Sequence, residues 1–284
     1  MPRNRYATPP LNTGPEPSRI GDYIRWIRDK AEMTRTQFGA AVYAHPAAVE
    51  KWENHQRTPS KESVEKIIRN IHVDGYVAEV LAALAAPEFH PITTADWPQI
   101  TDDDRDYLEN SRGPAALHGL PYRDLPAAND EWCRTLPMLK PEPDTARPLN
   151  LIERLLLDES TRIIEDRFDR AHVLLFELRI MRPLADPVRF REIVDTCARS
   201  PQFDRLWHTD PPQRVIENRS VAIWNAQTVR WDRYRARQNR DHIPPGPFTV
   251  YTLYRARTRS AHSHDHLRRL HTCARPSTAL EAAR

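Results

Sequence analysis

Between residues 18 and 86 the apolar side chains fall into five short stripes at the helical period, and none is long enough to stand alone. Ile20, Ile24, Ile27 and Ala31 share one face; Phe38, Ala41 and Val42 mark a second stripe, Val49 and Trp52 a third. Val64, Ile67, Ile68 and Ile71 form the fourth, and Val77, Val80, Leu81 and Leu84 the fifth. Helices this short are marginal in water, so the stripes have to bury one another. The expectation is an N-terminal all-α bundle of five helices. Its starts are marked as well: Thr34 with Gln37 makes a capping box, Ser60 precedes the fourth helix and Asp74 the fifth.

Prolines divide the rest. Residues 1–17 carry five prolines among polar side chains and are expected to be a disordered tail, because they bury too little to offset backbone ordering. A second proline-punctuated stretch, PEFHPITTADWP, ends the helical region, which gives a first domain at 18–87, a linker at 88–100, a second domain at 101–272 and a frayed tail at 273–284. The second domain opens with an acidic helix near 102–108, followed by weak strands at 115–117 and 122–125 around Gly119. Asn150 caps the run LIERLLL, and Ile164, Phe168, Ala171, Leu175 and Leu178 form a helical stripe that Pro183 ends. Asp186-Pro187 and Ser200-Pro201 read as N-caps with proline at the first helical position. The period then changes to two: Phe248, Val250, Thr252 and Tyr254 alternate with their neighbours, as do Val229 and Trp231, which predicts antiparallel strands. The class is α+β, a five-helix bundle followed by a mixed domain with an antiparallel sheet.

Composition narrows function mainly by exclusion. The 284 residues have a mean hydropathy of -0.71, and no run approaches the roughly 18 apolar residues a membrane span needs. The start MPRNRYATPP has no apolar core of a signal peptide. These features predict a cytoplasmic, nucleoid-associated protein with no membrane partner. Cys133, Cys197 and Cys273 lie far apart, so neither a disulfide framework nor a cysteine zinc site is expected. The net charge of +3 is too mild to identify a nucleic-acid binder by its sum. Its distribution is uneven, since acids crowd residues 88–109 whereas 219–240 holds six arginines against Asp232. GxxxxGK[ST], GxGxxG and GxSxG are absent, and His262, His264, Asp265 and His266 in HSHDH read as a solvated turn rather than a metal site. No catalytic residue, metal or required cofactor is expected, and the chain does not read as an enzyme.

The stretch MTRTQFGAAVYAHPAAVEKWENHQRTPS has the layout of a DNA-reading helix-turn-helix, with a first helix at 34–42 and a second at 46–54. Met33, Thr34, Phe38 and Gly39, then Val49, Trp52, Glu53, Asn54, Pro59 and Ser60, carry a resemblance to the XRE/Cro repressor family over about 55 residues. Tyr43 and His55 depart from it, standing where that family has glycine and where the backbone takes positive φ. The resemblance implies double-stranded DNA as partner. Thr34 and Arg35 would hold a phosphate, and Pro46, Ala47, Glu50 and Lys51 would face the major groove, with Pro46 and Ala47 limited to apolar contact such as a thymine methyl. Asn54, Gln56 and Arg57 would be phosphate contacts in the following loop.

From about residue 102 to 271 the chain resembles the C-terminal domain of MmyB-like transcription regulators, which has a PAS-like fold and follows such a helix-turn-helix in actinobacterial proteins. The ordered matches are AALHGLPYRDLPAANDEWCRTL with Asn129, the Asn150-led helix, the helix ending in Leu178-Arg179, SPQFDRLWH, and FTVYTLYRARTRSAHSHDHLRRL. Phe168 stands where the family has tryptophan. The resemblance implies a sensory or dimerising module, a homodimer and a small apolar, fatty-acid-like ligand. Leu117, Leu125, Trp132, Leu175, Leu178 and Trp207 are the side chains expected to line its cavity, with Arg179 meeting a carboxylate head. Taken singly, each of the six apolar side chains fits an ordinary core position better, and Arg179 a surface or interface ion pair. The expected function is ligand-controlled, sequence-specific transcription regulation; the alternative is a protein-interaction adaptor whose C-terminal domain only dimerises or docks a protein.

Overall fold

Each of the five N-terminal stripes forms a helix, and side-chain caps mark where the second, third and fourth begin. The computed structural model describes residues 10–73, 75–86, 99–142, 147–239 and 248–255. Helices α1 (Ile20–Lys30), α2 (Arg35–Ala41), α3 (Pro46–Glu53), α4 (Lys61–Ile71) and α5 (Gly75–Leu84) follow one another with short turns. Thr34 and Gln37 exchange backbone hydrogen bonds at the start of α2, Ser60 accepts from Ser63 N at α4, and Pro46 opens α3 behind His45. Asp74 lies outside the described residues. Tyr43 and His55 do take the left-handed backbone expected of them, at φ 56° and 58°.

The remainder is mixed α+β. Helices α6 (Asp102–Glu109), α7 (Asp130–Thr135), α8 (Leu151–Leu157), α9 (Arg167–Ile180), α10 (Pro187–Cys197), α11 (Phe203–Trp207) and α12 (Gln213–Ile216) accompany six strands. These are β1 (Ala115–Gly119), β2 (Asp124–Ala128), β3 (Leu149–Asn150), β4 (Ser220–Asn225), β5 (Arg230–Asn239) and β6 (Phe248–Arg255). They form one antiparallel sheet in the order β3-β2-β1-β6-β5-β4, so the last strand lies beside the first, with Leu117 opposite Val250. Alternation gives the sheet two faces. Leu117 packs on one with Ala115, Ala127, Val250 and Leu108 of α6. Val221, Ile223, Tyr234 and Leu253 pack on the other against α8, α9 and α10.

Several expectations are corrected. The chain is engaged before residue 18: Leu11 and Asn12 are buried, and Asn12 Nδ2 donates to the Tyr23 hydroxyl and the Arg179 carbonyl, both at 2.6 Å. Two polar partners already waiting on α1 and α9 offset the ordering of this segment. The Ser200-Pro201 helix start fails, because Ser200 Oγ accepts from Gln202 N in a tight turn and α11 begins only at Phe203. Ile164 precedes α9 and bridges to Ile223. The second strand begins at Asp124 rather than 122, since Tyr122 is in the turn with its hydroxyl accepting from Asp186 N at 2.6 Å. Val229 is a turn residue at φ 49°, just before β5. The linker at 88–98, Cys273 and the histidines of HSHDH lie outside the described residues. Cys133 and Cys197 are free thiols, and burial raises the pKa of both. Among the described residues no helix is long and apolar enough to cross a membrane.

The N-terminal helices and the later elements share a core. Tyr23, Ile27, Val77 and Val80 cluster with Leu120, Phe176, Ile180, Met181 and Leu184. Polar ties reinforce it: Tyr23 Oη donates to Ile180 O at 2.6 Å, and Lys30 Nζ lies 2.9 Å from Asp210, which also pairs with Arg179 at 3.1 Å.

Candidate nucleic-acid interface and ligand cavity

The presentation of α3 starts from a buried carboxylate. Val49, Trp52 and Glu53 turn inward, while Ala47, Glu50 and Lys51 are exposed and Pro46 is half-buried. Glu53 is fully buried yet receives Arg28 Nε at 2.6 Å and Arg35 Nε at 2.8 Å, so one side chain fixes α1, α2 and α3 together. Burial works to raise its pKa, but the hydrogen bonds and charges of Arg28 and Arg35 outweigh this and hold it below the usual carboxylate range. Gly39 keeps the turn tight, since a Cβ there would sit 2.6 Å from the Ala44 carbonyl oxygen.

Thr34, Asn54, Gln56 and Arg57 are exposed. Arg35 is half-buried and committed: besides Glu53 it reaches Glu50 at 3.3 Å. Asn54 accepts from Arg25 at 3.3 Å. Lys51 and Arg57 have no ion-pair partner among the described residues. Of the nine interface residues expected from sequence, these two therefore keep a positive charge free for a phosphate, while Arg35 serves first as a brace for Glu53.

A second feature lies between the inner face of the sheet and α7, α8, α9 and α12. It is a cavity of about 490 Å³, within the size range of small-molecule sites. Trp132, Leu151, Leu155, Leu174, Ile223 and Leu253 supply apolar walls. Of the seven side chains expected to line it, only Trp132 does. Leu117 is on the opposite face of the sheet, because strand alternation gives the inward position to His118 instead. Leu125, Leu175, Leu178 and Trp207 are core residues behind the walls. Arg179 points away: its Nη2 donates to Thr209 O at 2.8 Å and pairs with Asp210. Burial lowers its pKa despite that partner.

The polar part of the lining was not expected from sequence. His118, 1% exposed, stacks on Tyr251 with ring centroids 4.9 Å apart and meets Trp132 edge-on, and neither ring nitrogen has a hydrogen-bond partner among the described residues. Burial, with the nearby Arg123 charge adding to it, pushes its pKa down to about 3, so the ring is neutral. Arg123, 2% exposed, pairs with Glu177 at 2.5 Å and donates to Tyr76 Oη at 2.7 Å, leaving Nε without a partner among the described residues. Burial opposes its charge, but Glu177 and Tyr76 more than compensate and its pKa is raised. Only the alternation of β1 hinted that His118 faces inward; nothing local marked Arg123, which stands in a turn. Among the described residues no cluster of histidine, cysteine and acidic side chains suits a metal ion. No protein-family model matches the chain, and no curated protein matches it.

Proposed function

We propose that this protein is a sequence-specific DNA-binding transcription regulator of XRE type, with a PAS-like, MmyB-like C-terminal half controlled by a small apolar ligand in the cavity. The observation that carries the reading is α3, whose inner side is locked by Glu53 while Ala47, Glu50 and Lys51 remain uncovered by the other described residues. A helix offered this way, preceded by a braced helix and followed by a loop with Gln56 and Arg57, has the layout of a major-groove reader. Lys51 and Arg57 supply the phosphate or base-edge donors, and Pro46 and Ala47 the apolar contacts. The sheet order, with the last strand beside the first, supports the PAS-like part.

Control requires that the ligand favour one arrangement of the reading helices over another. The cavity is suited to this because Arg123 and Gln238, both in its lining, each donate to Tyr76 of α5 at 2.7 Å. Two copies would set two reading heads about 34 Å apart on successive half-sites. A gel shift on genomic fragments across a range of salt tests the reading. Affinity that falls steeply as salt rises is expected from counterion release. A flat salt dependence would remove the DNA reading. Deletion of the N-terminal helices is a poor substitute, since Leu120 and Phe176 lose their core partners with them.

A further inference from the structure

We propose that the cavity takes an amphiphile with an uncharged, hydroxyl-bearing head, which donates to a ring nitrogen of His118 and accepts from Arg123 Nε, rather than an ionised fatty acid. This rests on the reading of the cavity as a ligand site and specifies its chemistry. The two side chains are nine-tenths or more buried, line the cavity, and hold three polar atoms, both ring nitrogens and the guanidinium Nε, that have no partner among the described residues; Arg170 Nε, on a half-buried side chain of the lining, is a fourth. Buried polar atoms without partners are costly, so such atoms converging on a cavity mark the place of an absent partner group. An imidazole that stays neutral offers one donor and one acceptor, and Arg123 Nε adds a second donor. A hydroxyl group, with one donor and two acceptor lone pairs, matches the imidazole acceptor and the guanidinium donor simultaneously.

Charge argues the same way. Arg123 is already neutralised by Glu177 at 2.5 Å, so the buried end carries no net charge for a carboxylate to meet. An ionised head there would be desolvated beside Glu177, an unfavourable placement for two like charges. Of the remaining charges of the lining, Asp166, Asp169, Arg219 and Arg237 are exposed; Arg170 donates to the Ser220 carbonyl, but its Nε has no partner among the described residues, and it is the cation that would hold a carboxylate head if the ligand carried one. Apolar walls from Leu151, Leu155 and Ile223 continue from the polar end and suit an alkyl chain. The fatty-acid-like shape implied by the family resemblance is kept, and its carboxylate is replaced.

Calorimetric titration of the full chain with 1-decanol, decanamide and sodium decanoate, well above the carboxylate range of pH, tests this. Decanol is expected to bind about tenfold more tightly than decanoate, the effect of one well-made buried hydrogen bond. His118→Phe keeps the stacked ring and removes both nitrogens; it should weaken decanol about tenfold and leave decanoate where it was. Ala236→Trp, which fills the cavity, should abolish binding of all three. Decanoate binding as tightly as decanol, as a head drawn to Arg170 would produce, overturns the choice of head group and leaves the cavity reading standing. Binding by none of the three overturns both. The ranking on the unmodified protein needs no variant, so it decides the matter even if His118→Phe does not fold.

Discussion

Arg123 Nη2 donates to the hydroxyl of Tyr76 at 2.7 Å, and this contact joins the cavity to the last of the N-terminal helices. Arg123 stands in the turn between β1 and β2 at φ 65°, fixed on its other side by Glu177 of α9. A change at the cavity therefore has a direct mechanical route to α5, and α5 shares a core with α1, which braces α3 through Arg28 and Glu53. Spatial continuity alone does not establish coupling; a variant that cuts the link does.

Tyr76→Phe removes the hydroxyl and keeps the ring. Ligand-free DNA affinity is expected to stay within about threefold, while the change in DNA affinity on adding the cavity ligand shrinks toward none. Fluorescence anisotropy with and without decanol reads both quantities. An unaltered ligand effect would show that the signal travels by another path.

Glu53→Gln tests the brace. Losing the carboxylate leaves Arg28 and Arg35 facing a neutral amide at a fully buried point, and breaking a buried pair by one partner costs about 3 kcal/mol. Urea unfolding followed by tryptophan fluorescence measures it. A loss below about 1 kcal/mol would mean that the two arginines find water instead.

The helices were legible because short, capped, amphipathic segments carry their own punctuation. Thr34, Ser60, Asn129, Asn150 and Asp186 each accept from the first turn that follows, as a cap should. The strands were half legible. β6 alternates cleanly from Phe248 onward, but β3 has two residues and β4 lies in a stretch rich in arginine, so neither announces itself. The cavity was hidden for a different reason. Which leucines touch empty space rather than one another depends on packing across three layers, and periodicity reports only that Leu175 and Leu178 face inward. The role of Arg179 is not legible from sequence, because its carboxylate partner, Asp210, comes from a loop distant in the chain.

Lys51→Ala and Arg57→Ala are each expected to weaken DNA binding across all sequences and reduce the slope of log affinity against log salt by about 0.9, the share of one phosphate contact. Arg35→Ala should behave differently. It removes a partner of Glu53, so its loss of DNA affinity is accompanied by a loss of thermal stability that the other two variants do not show. Salt titrations paired with melting curves separate the cases. Equal stability losses in all three variants would place Lys51 and Arg57 in the brace as well, leaving the outer side of α3 without a free charge.

The neutral state of His118 gives the last prediction its sign. Its pKa falls from 6.5 in the unfolded chain to about 3 in the fold, so as pH drops through 6.5 the unfolded state takes up a proton that the folded state refuses. Stability is then lost progressively with acid, because it rises with pH wherever the unfolded state holds more protons. His118→Phe has no such proton to bind, and its stability should fall less steeply between pH 6.5 and 4.5 than that of the unmodified protein. Glu53, held below its ordinary 4.5 in the fold, begins to cost stability at the lower end of this window as the unfolded carboxylate takes up its proton, but it does so equally in both proteins, so the difference between their profiles reports His118. The same variant should be more stable in absolute terms by about 1 kcal/mol without ligand, since two unpartnered buried nitrogens disappear with no loss of stacking on Tyr251. A protein that keeps a destabilising polar ring at the wall of a cavity, and loses alcohol binding when the ring is made apolar, is trading stability for recognition. Parallel pH profiles for the two proteins would mean that His118 is solvated in solution and accepts its proton normally.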